Sequence, residues 1–174
     1  PQELPPCAVA LLAAEQGLPE GQNSMGYSYE LGLGVPQDSE EAVRCYRLSA
    51  NQGHMYAQTN LGSMYADGNG VPEDDAEAVR WFQKAADQGY AAGQRKLANA
   101  YARGEGVAKD EEKAVRYWTL AADQGDTDAR IALASAYERG EGVVADTDEA
   151  KKLREEAGGD DATVDFSVPE MVAT

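Results

Sequence analysis

The chain has 174 residues and a mass of 18.6 kDa, with 43% apolar residues, enough for one core-bearing domain or one short stack of repeats. Fifteen basic residues against 31 acidic ones give a formal charge of −16, a field that repels nucleic acid and anionic membrane surfaces. No uninterrupted apolar run approaches the roughly 18 residues that a membrane span needs, so membrane insertion is not expected.

The sequence repeats itself every 36 residues, and a fixed period of that length outranks any local motif as a guide to fold. Gly17, Gly53, Gly89 and Gly125 mark the beat, each followed by an apolar residue and a tyrosine four apart: Met25/Tyr29, Leu61/Tyr65, Leu97/Tyr101 and Leu133/Tyr137. The pattern divides the chain into an extended N-terminus over 1–6, a repeat array over 7–157 and a C-terminal tail over 158–174. Within the array, 7–14 is a leading half-repeat, and the full repeats run 15–50, 51–86, 87–122 and 123–157.

Residues 1–6, PQELPP, are expected to be extended, because each proline biases its predecessor away from the helical region. The stretch CAVALLAAEQG aligns with the second helix of the next unit, Ala14 with Ala50 and Gly17 with Gly53, and is expected to cover the N-terminal end. Each full unit then reads as two helices. In the first helix, about 57–67 in the second unit, Leu61 and Tyr65 share a buried face with Ala57 and Gln58. Gly26 and Gly62, matched by Ala98 and Ala134, remove bulk where a partner crosses closely, since glycine there costs up to about 1 kcal/mol against alanine.

The paired-glycine turn follows: Gly32-Leu33-Gly34-Val35 and its equivalents at 68–71, 104–107 and 140–143. Gly32, Gly68, Gly104 and Gly140 are placed to take the left-handed conformation that ends a helix. Asp38, Asp74, Asp110 and Asp146 are the expected N-caps of the second helix. Glu41, Glu77 and Glu149 are the expected capping-box partners, broken by Lys113 in the third unit. The second helix repeats an alanine and an aromatic, Ala42/Tyr46, Ala78/Phe82 and Ala114/Trp118, until Arg154 replaces the aromatic between Lys151, Lys152 and the end of the array. A polar terminal unit is what an array needs where it meets water. Residues 158–174 carry no repeat and are expected to be flexible, with a docked arrangement as the alternative.

The string Ala57, Leu61, Gly62, Tyr65, Gly68, Gly70, Val71, Asp74, Ala78, Trp81, Lys84, Ala85, Ala86 and Gly89 resembles the Sel-one-like repeat family, cousins of the tetratricopeptide repeats. The resemblance covers 15–157. Departures are Met25 for leucine, Ala98 and Ala134 for glycine, Ala108 and Val144 where Pro36 and Pro72 stand, and Arg154 for the aromatic. It implies an all-α fold, a right-handed α/α superhelix of about four helix-turn-helix repeats plus the N-terminal half-repeat. It further implies a non-catalytic scaffold or adaptor that holds a partner protein or peptide on its concave face.

Individual candidates for chemistry lose to structural roles. His54 is the one histidine, so no relay or metal cluster can be assembled from several. Cys7 and Cys45 are too few for a disulfide framework and are not repeated; Cys45 stands at the register of Trp81 and Tyr117, the place of a packed helix residue. Asp67-Gly68-Asn69-Gly70 begins like a calcium loop, but Val71 takes the fifth position and the other units put Leu31, Arg103 and Arg139 where Asp67 stands. The glycine turns lack the Gly-Lys-Ser/Thr of a phosphate loop, and acidic pairs such as Glu40/Glu41 sit at helix starts, where negative charge is favoured. No catalytic residue, metal or cofactor is therefore expected.

One contrast remains. The first-helix positions turned away from the second helix read Asn23, Ser24, Tyr27, Glu30 and Leu31, then Thr59, Asn60, Ser63, Ala66 and Asp67. In the later units they read Arg95, Lys96, Asn99, Ala102 and Arg103, then Ile131, Ala132, Ser135, Glu138 and Arg139. Basic residues collect late. The expected partner-binding residues are Tyr27, Leu31, Asn60, Ser63, Asp67, Arg95, Lys96, Asn99, Arg103, Ser135 and Arg139. An acidic or carboxylate-terminated segment would lie at the later half, and an uncharged or aromatic-contacting one near Tyr27 and Asn60. In a self-occupied version the tail's Asp160, Asp161 and Asp165 fill the groove. Two other functions compete: a secreted or periplasmic hydrolase of the cysteine-rich kind in the same family, whose cysteine pair per repeat is missing here, and a spacer within a longer protein. The start carries neither a basic leader nor a methionine, which leaves the compartment open between cytoplasm and, with a leader removed, periplasm or exterior.

Overall fold

The computed structural model describes residues 6–158. Of the segment 1–6 expected to be extended, Pro6 is instead the first residue of a helix, where its missing N–H costs no hydrogen bond; residues 1–5 and the tail beyond Gly158, with Asp160, Asp161 and Asp165, lie outside the described residues. Among the described residues there are nine α-helices and no strand: α1 Pro6–Glu15, α2 Pro19–Leu31, α3 Ser39–Asn51, α4 Met55–Asp67, α5 Asp75–Asp87, α6 Ala91–Arg103, α7 Glu111–Asp123, α8 Thr127–Arg139 and α9 Thr147–Glu156. Each packs on its neighbours in sequence, and α4 also touches α6, so the first helices of the second and third units stand side by side. The fold is an all-α solenoid.

A glycine and an aspartate set each turn. Gly32, Gly68, Gly104 and Gly140 close α2, α4, α6 and α8 at φ of 70, 61, 74 and 67°, a region in which a side chain is strained. Asp38, Asp74, Asp110 and Asp146 then cap the next helix, each carboxylate accepting from a backbone N–H two or three residues on.

The reciprocal half of the expected capping box does not form. The N–H of each capping aspartate donates instead to the carbonyl of Tyr29, Tyr65, Tyr101 or Tyr137, at 2.9, 2.9, 2.9 and 3.0 Å. With that donor taken, Glu41, Glu77 and Glu149 turn to Arg44, Arg80 and Lys152 one turn further along. Lys113, which interrupts the box, binds the cap Asp110 itself at 3.1 Å.

The second glycine of the second, third and fourth turns joins one unit to the unit before. A Cβ on Gly70, Gly106 or Gly142 would land on the backbone carbonyl of Ser39, Asp75 or Glu111, the first residues of α3, α5 and α7. The loop therefore rests main chain on main chain. Within a unit, Gly26 and Gly62 make room for an aromatic ring: a Cβ would fall 2.6 Å from Tyr46 or Phe82.

Glutamines add a rung that the repeat pattern did not announce. Gln52, Gln88 and Gln124 donate to Gln22, Gln58 and Gln94, each at 2.7 Å, tying the end of a second helix to the start of the first helix of its own unit. In the fourth unit Arg130 stands at that register and donates to the Glu156 carbonyl. The aromatic register varies with its partner. Tyr46 donates to Glu30 at 2.5 Å, Trp118 donates to Asn99 at 2.9 Å, and Arg154 forks onto Glu138 at 2.9 and 2.8 Å. Phe82, which has nothing to donate, has Ala66 in its cluster.

Candidate functional site

The variable registers of the first helices meet in two adjoining hollows. One, of about 340 Å³, lies between α4 and α6, with Asp67, Lys96, Asn99 and Arg103 in its walls and Phe82 in its lining. The other, of about 360 Å³, lies between α6 and α8, lined by Arg103, Lys109, Trp118, Ser135 and Arg139. Asn99 and Arg103 belong to both, so the two make one shallow trough across three units.

The trough thus gathers Asp67, Lys96, Asn99, Arg103, Ser135 and Arg139 from the residues expected to bind a partner. Tyr27 and Leu31 sit at the same registers on α2, 51% and 50% exposed, and Ser63 at that register on α4 is half-buried. Asn60 is half-buried and donates to Asn23 at 3.3 Å. Arg95 departs from expectation: its guanidinium turns to Asp126 at 3.1 Å and Asp128 at 3.5 Å, outside both hollows. Two carboxylates at the start of α8 capture it, so the basic trio of α6 reduces to Lys96 and Arg103 in the trough. Thr59 is a second correction: it is 6% exposed and its hydroxyl donates to the Met55 carbonyl.

Charge in the trough is mixed and loosely held. Arg103, Lys109 and Arg139 each carry a glutamate two residues on, with separations of 3.7 Å to Glu105, 2.7 Å to Glu111 and 2.9 Å to Glu141. The bond to Glu111 raises the Lys109 pKa above its ordinary value. Exposed pairs of this kind are weak, because water screens them, so an incoming carboxylate can exchange with them at small cost. The first hollow sets Lys96 and Arg103 against Asp67, Glu73, Asp75 and Glu105; the second sets Arg103, Lys109 and Arg139 against Glu111 and Glu141. The basic excess is therefore local to the second hollow.

The isolated candidates resolve into structural roles. His54 caps α4, its Nδ1 accepting from the Ala57 N–H at 3.3 Å. Cys45 is buried, and burial pushes its thiol pKa up, away from the thiolate that nucleophilic chemistry needs. Among the described residues no three of His, Cys, Asp and Glu converge as metal ligands, and no helix is long and apolar enough to cross a membrane. Sequence reasoning missed a third hollow, of about 210 Å³, between α1, α2 and α3, lined by Leu11, Ala14, Met25, Tyr29, Cys45 and Leu48 among others. The signal for it was present: a cysteine where the other units place Trp81, Tyr117 and Leu153.

Comparison with known proteins accords with this geometry. The Sel1 repeat profile matches residues 19–54, 56–90, 91–126 and 127–157. A Sel1 repeat protein from Oxalobacter formigenes is similar, at 34% identity and a TM-score of 0.83, over 87% of this chain and 61% of that one. So is c5321, a protective antigen of uropathogenic Escherichia coli strains with the SLR fold, at 34% identity and a TM-score of 0.84, over 89% of this chain and 33% of that one. The chain thus spans less than two thirds of the first relative's length and a third of the second's. Cysteine rich protein B of Helicobacter pylori shares 25% identity and a TM-score of 0.55, over 70% of this chain and 87% of its own. No curated protein matches the chain. Four copies of one unit, the glycine turns that join them and relatives a third identical make this chain a member of the Sel1 repeat family, whose members are in general non-enzymatic protein-interaction scaffolds.

Proposed function

We propose that the trough across α4, α6 and α8 is where this scaffold holds its partner, a protein or peptide segment laid along the first helices. The observation that carries the reading is the division of labour among residues. Those that recur from unit to unit are spent on caps, turns and packing, while the trough side chains change from one unit to the next and remain open to solvent. An acidic or carboxylate-terminated segment fits the second hollow, where Arg103, Lys109 and Arg139 outnumber Glu111 and Glu141 and Trp118 offers apolar surface. Tyr27 and Leu31, half exposed on α2, suit an uncharged or aromatic portion of the same segment.

A peptide panel tests this. Ten-residue peptides with acidic, free C-termini are compared with amidated and basic counterparts by fluorescence anisotropy at low and high salt. The free acidic peptides should bind most tightly and weaken as salt rises. Reversing Arg103, Lys109 and Arg139 to glutamate should reduce binding at least tenfold with the helical circular dichroism intact. Equal binding by the reversed protein removes the assignment.

A further inference from the structure

We infer that the hollow between α1, α2 and α3 is a pocket for an aromatic ring, distinct from the trough. The inference rests on what the other units place at the same register. Shifting Cys45 by one, two and three repeats gives Trp81, Tyr117 and Leu153, and each of these fills its own seam between units.

Trp81 is 6% exposed and packs with Ala50 and Leu61, which are the repeat equivalents of Ala14 and Met25 in the pocket lining. Tyr117 packs with Ala86 and Leu97, which again match Ala14 and Met25, and stacks on Tyr101 with ring planes 3° apart. Tyr101 is in turn the equivalent of the pocket's Tyr29. The first unit therefore keeps the frame of a ring site and lacks the ring. Cys45 supplies only a thiol at the position from which an indole or a phenol projects next door, and the space left is about 210 Å³. An apolar cavity of about 150 Å³ is large enough to hold benzene, so one or two fused rings fit.

The surrounding residues favour an apolar ring. Next door, charged side chains lie over the rings, Arg47 over Tyr65 and Lys84 over Trp81 at 5.9 and 3.9 Å. In the first unit the same two registers carry Leu11 and Leu48, 44% exposed each, which line the pocket with methyl groups. Glu15, Gln22 and Arg44 complete the lining and offer partners for an indole N–H or a phenol hydroxyl. Burial raises the Cys45 thiol pKa, which disfavours a thiolate beside the ring. The ligand is thus the indole or phenol ring of a partner protein's tryptophan or tyrosine, because the protein side chains Trp81 and Tyr117 fill the equivalent seams; a free small molecule is the other outcome of the test.

Methyl-labelled protein is titrated with free indole and, separately, with N-acetyl-tryptophanamide, with N-acetyl-leucinamide as the control. The expected result is saturable shifts at the methyls of Leu11, Met25 and Leu48, and none at Leu120, the equivalent of Leu48 in a seam that Tyr117 already fills. Response to both ring probes assigns a side-chain ligand; response to indole alone assigns a small molecule. Cys45→Trp should fill the pocket, abolish the shifts and raise the urea midpoint. Leu48→Glu, at a half-exposed position that folding tolerates, should weaken ring binding at least tenfold. The inference is overturned by unsaturable shifts, by equal shifts at Leu120, by a response to the leucine control, or by undiminished binding in both variants.

Discussion

In the second unit Phe82 lies against Gly62 with Ala66 in its cluster, and Trp81 fills the seam towards the unit before. In the first unit Tyr46 lies against Gly26 with its hydroxyl on Glu30, and the seam holds only Cys45. The backbone frame is the same, and one difference is compensated while the other is not. A buried hydroxyl without an acceptor costs about 1–3 kcal/mol, so the phenol of Tyr46 came with a carboxylate. Lost bulk at a seam that opens to solvent is a smaller penalty, because water or a ligand can enter. The uncompensated position is therefore the one that leaves room for a ring.

The largest expected effect comes from forcing the second unit into the state of the first. Trp81→Cys removes a ring packed in the core cluster, and a loss of about 3–5 kcal/mol in urea unfolding is expected. A loss below about 1 kcal/mol would mean that ring packing at this register does not hold the seam, and the contrast with Cys45 would lose its meaning.

Next is the compensated pair. Tyr46→Phe should cost about 1–3 kcal/mol by removing its hydrogen bond to the half-buried Glu30 carboxylate, and adding Glu30→Ala should recover part of it by recreating Phe82 beside Ala66. Burial, and then the Glu30 bond, raise the Tyr46 pKa far above its ordinary value. A group whose folded pKa is raised gives stability that is complete below its unfolded value, about pH 10, and declines as pH rises beyond it. The wild type should therefore lose stability above pH 10 more steeply than the Phe variant.

The smallest effect belongs to the fourth unit, where the same two registers hold Glu138 and Arg154. The hydrogen bond from Arg154 lowers the Glu138 pKa. A depressed carboxylate gives stability that is present above its unfolded pKa, about 4.3, and is lost as pH falls through the folded value. Both side chains are more than 40% exposed, at 43% and 42%, so the contribution at neutral pH is below about 1 kcal/mol. The difference in urea midpoint between wild type and Arg154→Ala should be small at pH 7 and vanish towards pH 3.

The architecture was legible because its causes are local and recur. A left-handed helix end asks for glycine at 32, 68, 104 and 140, and a helix start asks for an acceptor at 38, 74, 110 and 146, so four copies announce each turn. Which neighbour takes a polar side chain was not legible. Glu41 and its equivalents fit the capping-box spacing, yet a tyrosine carbonyl from the preceding helix takes the donor first. Arg95 read as a groove cation until the packing of α8 brought Asp126 and Asp128 beside it. The glutamine rungs also join residues 30 apart, a separation at which the sequence alone names no partner.

The second glycine of the last three turns has a consequence for the array. Because Gly70, Gly106 and Gly142 meet the preceding unit at a peptide carbonyl, the step from brick to brick is set by atoms that every amino acid shares. A gene that duplicates or deletes one 36-residue block would lengthen or shorten the platform while keeping its pitch, and side chains on the open faces can drift without bending it.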